Sequence, residues 1–245
     1  MELIQGDCLE VMKSIPSGSV DAIITDPPYG TTACKWDSVI DFGLMWEQLN
    51  RIIKPNGAIV LFGSEPFSSA LRMSNIKNYK YDWKWLKSRT TGFQMARKRP
   101  MKDYEDILVF YKKQPTYFNT ELIELEKPIS SWRKNGKGGN GLNEVKTKKD
   151  RKQTHTNFNR QTLKFSNEHN VGKNIHPTQK PIALMEYLIK TYTQENETVL
   201  DFTMGSGSTM VACQNTNRNG IGIEQDEKYF KIAQDRVEAN KFKLF

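Results

Sequence analysis

Asp26-Pro27-Pro28-Tyr29 puts an acid, backbone carbonyls and an aromatic ring within four positions. Chemistry on a flat exocyclic amine needs those groups: acceptors for its hydrogens and a surface for its ring system to stack on. Each proline fixes its own φ and lacks an N–H, and the residue before a proline is pushed to extended geometry. The tetrapeptide is therefore expected as a stiff extended turn. Far along the chain, Val199-Leu200-Asp201-Phe202-Thr203-Met204-Gly205-Ser206-Gly207-Ser208-Thr209 reads as a strand running into a Gly-rich turn and a helix. Its glycines let a ligand approach the backbone closely. Glu224 follows Gly205 by nineteen residues, a spacing that sets an acid against ribose hydroxyls. A dinucleotide fingerprint would want a third glycine where Met210 stands. A nucleoside ligand without phosphates, such as S-adenosylmethionine, fits better. A structural glycine turn is the plain alternative for this stretch taken alone, and a lone Glu224 would more often be a surface acid.

These residues need strands and helices to hold them. Val20–Thr25 is an apolar run bounded by Gly18 and Pro27 and reads as a buried strand. The turn then lies at a strand's C-terminal end, where open α/β sheets place ligands. Glu2–Gln5 is a short strand, and Asp7 an N-cap with Glu10 as its capping-box partner. Helices are expected from Leu44 to Lys54, from Glu65 to Ile76, after Pro181, from Ser208 and over Asp226–Asn240. Further strands are expected at Ala58–Phe62, Tyr79–Leu86, Ile107–Tyr111, Thr198–Asp201 and Gly220–Glu224, with a basic loop at Ser88–Met101. Strands alternating with helices imply an α/β fold with a mostly parallel sheet. Periodicity dissolves over 112–173, which reads as an inserted, partly mobile basic segment between two halves of one domain, 1–111 and 174–245.

Net charge is +8, unevenly spread. Residues 84–102 hold seven Lys/Arg and no acid, and residues 127–173 hold twelve against three. Removing that +7 and +9 leaves −8 for the rest. An acidic body with two basic segments is the footprint of a polyanion binder; a solvated charged loop is the bland alternative. Arg89, Arg97, Lys98 and Arg99 in the first segment, and Lys148, Lys149, Arg151 and Lys152 in the second, are the candidate phosphate contacts. The three cysteines are far apart and the three histidines lack metal spacing, so neither a disulfide frame nor a metal is expected. The expected compartment is reducing and cytoplasmic. No apolar run approaches the roughly 18 residues of a membrane span, and Met1–Asp7 has no signal-peptide pattern.

Together, Asp26-Pro27-Pro28-Tyr29, His176-Pro177-Thr178-Gln179-Lys180-Pro181 and Asp201–Thr209 resemble the β-class amino-group DNA methyltransferases, in motif order as well as in residues. The resemblance spans nearly the whole chain except 112–173. It implies a Rossmann-like methyltransferase fold, with a mostly parallel twisted sheet, helices on both faces and a circularly permuted motif order. It also implies S-adenosyl-L-methionine as cofactor, double-stranded DNA as partner, and methylation of adenine N6 on a flipped base. Asp26 and the Pro27 carbonyl would hold the amine, Pro28 would stiffen the turn, and Tyr29 would stack on the base. Asp201, Phe202, Gly205 and Gly207 would line the methionine end of the cofactor. Glu224 would take the ribose, Asp7 and Cys8 the adenine, and Lys180 would sit near the carboxylate. The 112–173 segment would recognise the target. The family usually has Asp-Pro-Phe before its Gly-Ser-Gly; here Asp201-Phe202-Thr203-Met204 stands instead, a departure that bears on cofactor affinity. N4-cytosine methylation and a catalytically silent nucleic-acid-binding homologue are the alternatives, and a homodimer or a cognate restriction endonuclease would be compatible with either enzyme reading. Cys8 and His176 have bland readings as core packing and helix entry, and Trp36, Trp83 and Trp85 as core.

Overall fold

A computed structural model describes residues 1–31, 37–120, 122–130, 152–166 and 179–241. The chain runs β1 (Glu2–Gln5), α1 (Cys8–Met12), β2 (Val20–Thr25), α2 (Phe42–Ile52), β3 (Ile53–Gly63), α3 (Phe67–Ser74), β4 (Tyr79–Thr91), β5 (Lys102–Phe110), β6 (Ile123–Ser130), β7 (Lys152–Thr156), β8 (Thr162–Lys164), α4 (Ile182–Tyr192), β9 (Thr198–Asp201), α5 (Ser208–Asn215), β10 (Asn219–Glu224) and α6 (Glu227–Lys241). Two units divide it: Met1–Phe118 with Gln161–Phe245, and Asn119–Arg160.

In the larger unit, eight strands form one sheet in the order β1-β10-β9-β2-β3-β5-β4-β8. The pairs are parallel except that β5 runs antiparallel to both β3 and β4. Alternation along β2 and β3 splits the core. Ala22, Ile24, Val60 and Phe62 point to one face, under Leu184, Met185 and Leu188 of α4, Val211 of α5 and Ala233 of α6. Ile23, Ile59 and Leu61 point to the other, under Met12 of α1, Met45, Trp46 and Leu49 of α2 and Leu71 of α3. A parallel sheet covered on both faces explains why its strands read as continuous apolar runs. The α/β fold with helices on both faces is the expected one. The permutation is visible in the sheet: β9 and β10, late in the chain, lie between β1 and β2.

The structure departs from the sequence reading in several places. Strand β3 begins at Ile53, well before Ala58, so Pro55-Asn56-Gly57 lies in a strand after the helix has stopped. Strand β4 runs on to Thr91 and β5 starts at Lys102, which shortens the expected Ser88–Met101 loop to a tip with a 3₁₀ turn at Phe93–Met95. Asp7 caps α1 through Leu9 N and Glu10 N, but Glu10 binds Lys13 at 2.7 Å and closes no capping box. Within 112–173, β8 joins the main sheet against β4, with Leu163 opposite Trp85. Both side chains are buried, as is Trp83, whereas Trp36 lies outside the described residues. Three residues are too few to show a period. The smaller unit holds β6 and β7 as an antiparallel pair, with Glu124 opposite His155 and Ile129 opposite Gln153. Its strands are largely exposed, Ile123 at 55%, so no buried face imprinted an alternation on the sequence. Among the described residues no helix is long and apolar enough to cross a membrane.

Candidate active site

The carboxyl ends of β1, β10, β9 and β2 share one edge because these parallel strands are in register: Gln5 lies opposite Glu224, Gly222 opposite Asp201, and Ile23 opposite Leu200. A cavity of about 710 Å³ opens at that edge, within the range of small-molecule sites. Asp7, Cys8, Asp26, Pro27, Pro28, Tyr29, Lys180, Asp201, Phe202, Gly205 and Glu224 all line it. Gly207 does not. It takes φ +78° at the start of α5, and a Cβ there would meet the Ala233 Cβ at 3.0 Å. That glycine serves the close approach of α6 rather than of a ligand.

Asp26 is held by three donors. Tyr29 Oη donates to its Oδ1 at 2.5 Å. Lys180 Nζ donates to its Oδ2. Thr203 Oγ1 donates to its backbone carbonyl at 3.1 Å. The Tyr29 ring stacks on Phe67 with centroids 5.0 Å apart. Lys180, 7% exposed, also lies 3.2 Å from Glu105 Oε2, and Lys87 holds Glu105 Oε1 at 2.5 Å. Burial pushes the Asp26 carboxyl above its usual range, against the pull of Lys180. Burial and then the Asp26 charge push the Tyr29 phenol well up. Burial works against the Lys180 charge too, but Asp26 and Glu105 outweigh it and hold the ammonium above its ordinary range. Burial opposes the Glu105 charge, yet Lys180 and Lys87 hold that carboxyl below its ordinary range.

Asp201 ties the glycine turn to the neighbouring strand. Thr25 Oγ1 and Thr209 Oγ1 donate to its two oxygens, and Thr203 N donates to Oδ1 at 3.2 Å. Thr25 Oγ1 in turn accepts from Phe202 N at 3.0 Å. Burial pushes the Asp201 carboxyl up to about 6. Glu224 accepts from Gly205 N at 2.9 Å and from Asp226 N at 2.8 Å, which fixes its head at the cavity wall; burial raises its carboxyl. Asp7 caps α1 at the rim, and burial pushes the Cys8 thiol up to about 12, so that group stays a neutral, half-buried neighbour.

Sequence reasoning placed Lys180 near a cofactor carboxylate; here its ammonium sits on Asp26 and Glu105. Glu105, Lys87, Thr25, Thr203 and Thr209 were not singled out. Glu105 carried little signal, since it stands with Asp103 and Asp106 in the charged first half of β5, before the apolar Ile107–Phe110 run. Arg89 lines the cavity rim, and Arg97, Lys98 and Arg99 are exposed on the tip between β4 and β5. Lys148, Lys149 and Arg151 lie outside the described residues, as do His176, Pro177 and Thr178; Lys152 opens β7. Among the described residues no three His, Cys, Asp or Glu side chains gather as a metal site would require.

The donor set suits a cationic nucleoside better than a pyrophosphate. Asp26, Asp201, Glu224 and Asp7 make the wall acidic, and Met210 fills the place of a third glycine. Comparison with known proteins gives the family. The chain is 29% identical to the type II methyltransferase M.HpaI of Haemophilus parainfluenzae, over 97% of this chain and 74% of that one. It is 27% identical to the DNA adenine methyltransferase YhdJ of Escherichia coli K12, over 96% and 82%. The solved M1.HpyAVI–SAM complex superposes with a TM-score of 0.64 at 30% identity, covering 96% of this chain and 98% of that one. The family model for DNA methylases matches residues 20–235, a span that takes in both the Asp26 turn and the glycine turn, and the chain therefore belongs to the DNA methylase family.

Proposed function

We propose that the protein methylates the N6 amine of adenine in double-stranded DNA, with S-adenosyl-L-methionine as cofactor. The observation that carries this reading is the placement of the Asp26–Tyr29 turn and the Glu224–Gly205 wall around one cavity, at the carboxyl ends of the parallel strands β2, β9 and β10. The names of the relatives support it: YhdJ is an adenine methyltransferase, and M1.HpyAVI was solved with S-adenosylmethionine. Bound here, the cofactor supplies an electrophilic methyl on a sulfonium. Glu224, fixed by Gly205 N and Asp226 N, is the group for its ribose hydroxyls.

The amine of adenine is a weak nucleophile because its lone pair is delocalised into the ring. Asp26 and the Pro27 carbonyl accept its two hydrogens, which lets the nitrogen pyramidalise and localise that pair. The effect is positional and electrostatic. The base must first leave the duplex, since pairing buries its amine. The Tyr29 ring, backed by Phe67, offsets part of that cost, by roughly 1–3 kcal/mol for a stacked base. Arg89 at the rim and the exposed Arg97–Arg99 cluster hold phosphates. The basic 112–173 segment supplies target recognition.

Digestion of methylated duplex followed by mass spectrometry tests the reading. N6-methyladenine is the expected product. N4-methylcytosine would overturn the adenine assignment while leaving the fold and the cofactor wall in place, and no transfer of labelled methyl to any DNA would overturn the reading altogether.

A further inference from the structure

Both oxygens of the Asp26 carboxylate are occupied in this chain, one by Tyr29 and the other by Lys180. A carboxylate oxygen accepts more than one donor, but an amine arriving at Oδ2 meets a cation already seated there, and Lys180 has to give way for the amine to be held fully. Lys180 is buried and cannot retreat to water without moving its segment. A second carboxylate stands ready for it. Glu105 Oε2 is buried and already in ion-pair contact with Lys180 Nζ at 3.2 Å, without a well-aligned hydrogen bond. Its other oxygen is held by Lys87 at 2.5 Å, which fixes the head in place.

We infer that Glu105 is a positioning residue for methyl transfer: it retains the Lys180 ammonium when Asp26 turns its Oδ2 to the target amine. Lys180 keeps a counterion throughout, so no charge is stranded in the cavity. Breaking a buried ion pair on one side only is strongly unfavourable, and Glu105 removes that cost from the step in which the base arrives. The inference rests on Asp26 being the amine acceptor.

Glu105→Gln leaves Lys180 with Asp26 as its single counterion and locks the acceptor. Turnover at saturating DNA and cofactor should fall roughly 10- to 100-fold, the worth of a charge-assisted hydrogen bond, while cofactor affinity by calorimetry stays unchanged. Glu105→Asp keeps the charge but withdraws the head by one methylene, and should slow turnover by a smaller factor. The decisive variant is the double change Glu105→Gln with Lys180→Met. Removing the cation as well frees Asp26, so the double variant should turn over faster than Glu105→Gln alone. A residue that merely supported the fold would make the double variant slower still. Wild-type turnover in both Glu105 variants, or a double variant no faster than Glu105→Gln, overturns the inference. An Asp26→Ala arm separates this from the underlying reading: if that variant keeps full activity, Asp26 is not the acceptor and the function assignment falls with it.

Discussion

At the scale of single residues, Tyr29 carries two jobs that its position in the turn alone does not reveal. Its ring is the proposed stacking surface for the base, and its hydroxyl donates to Asp26 at 2.5 Å. Sequence reasoning asked only for the ring, and by it Tyr29→Phe would keep substantial activity. The structure sharpens that expectation. Tyr29→Phe should lower turnover roughly 10- to 100-fold, since the lost hydroxyl orients the Asp26 carboxylate through a hydrogen bond to a charged group, worth roughly 1.5–3 kcal/mol, while the ring is retained. Tyr29→Ala should lose more and should brighten 2-aminopurine at the target position; equal losses in the two variants, measured by tritium transfer, would show that the ring contributes nothing. Asp201 gives a prediction in pH. Its folded carboxyl titrates near 6, above its value of 3.8 in an unfolded chain. The folded state thus binds the extra proton, and stability from this group is complete below about 4 and lost as pH rises through 6. By about 1.4 kcal/mol per pH unit, the loss is on the order of 3 kcal/mol. Denaturation of Asp201→Asn at pH 5 and pH 7.5 should show a smaller decline across that window than the wild type does. An identical decline would remove Asp201 as the cause. Asp201→Ala should also weaken cofactor binding by calorimetry, because Thr25, Thr209 and Thr203 N lose the acceptor that shapes the glycine turn.

At the scale of elements, the glycine turn is held from both sides. Gly207 adopts φ +78° with Ala233 of α6 against it. Gly207→Ala meets a left-handed backbone, at about 1–2 kcal/mol, and a close approach that α6 must yield to. The urea midpoint should fall, with a larger loss for Gly207→Val; unchanged midpoints would mean that α6 does not pack there. The missing third glycine has a physical account in the strand opposite. Met210 is fully buried, and added Cβ atoms at Gly220 and Gly222 of β10 would meet its side chain at 2.9 and 3.0 Å. The small residues have moved from the helix to the strand. β2, β9 and β10 were legible because apolar β-branched runs bounded by breakers are a local signal. β8 and the β6–β7 pair were not, since short or exposed strands carry no period to read.

At the scale of the whole molecule, the basic tip between β4 and β5 gives the last prediction. Replacing Arg97, Lys98 and Arg99 together by alanine should weaken DNA binding broadly and flatten its salt dependence, by about 0.9 in the log–log slope for each phosphate that is no longer neutralised. Titrations at several salt concentrations check this, and an unchanged slope would leave the tip facing solvent alone. The chain's own order of residues determined the extended Asp26 turn, the glycine turn and Glu224 at its spacing, because proline sterics, glycine freedom and strand periodicity act within a few residues. It determined the charge asymmetry too. Only the tertiary structure decided that β9 slots between β10 and β2 and so sets Asp201 beside the Asp26 turn. Only it decided that Lys180 answers to Asp26 and Glu105. Strand neighbours are chosen by which faces the whole chain can bury at once, and a buried charge takes whichever counterion that burial brings within reach.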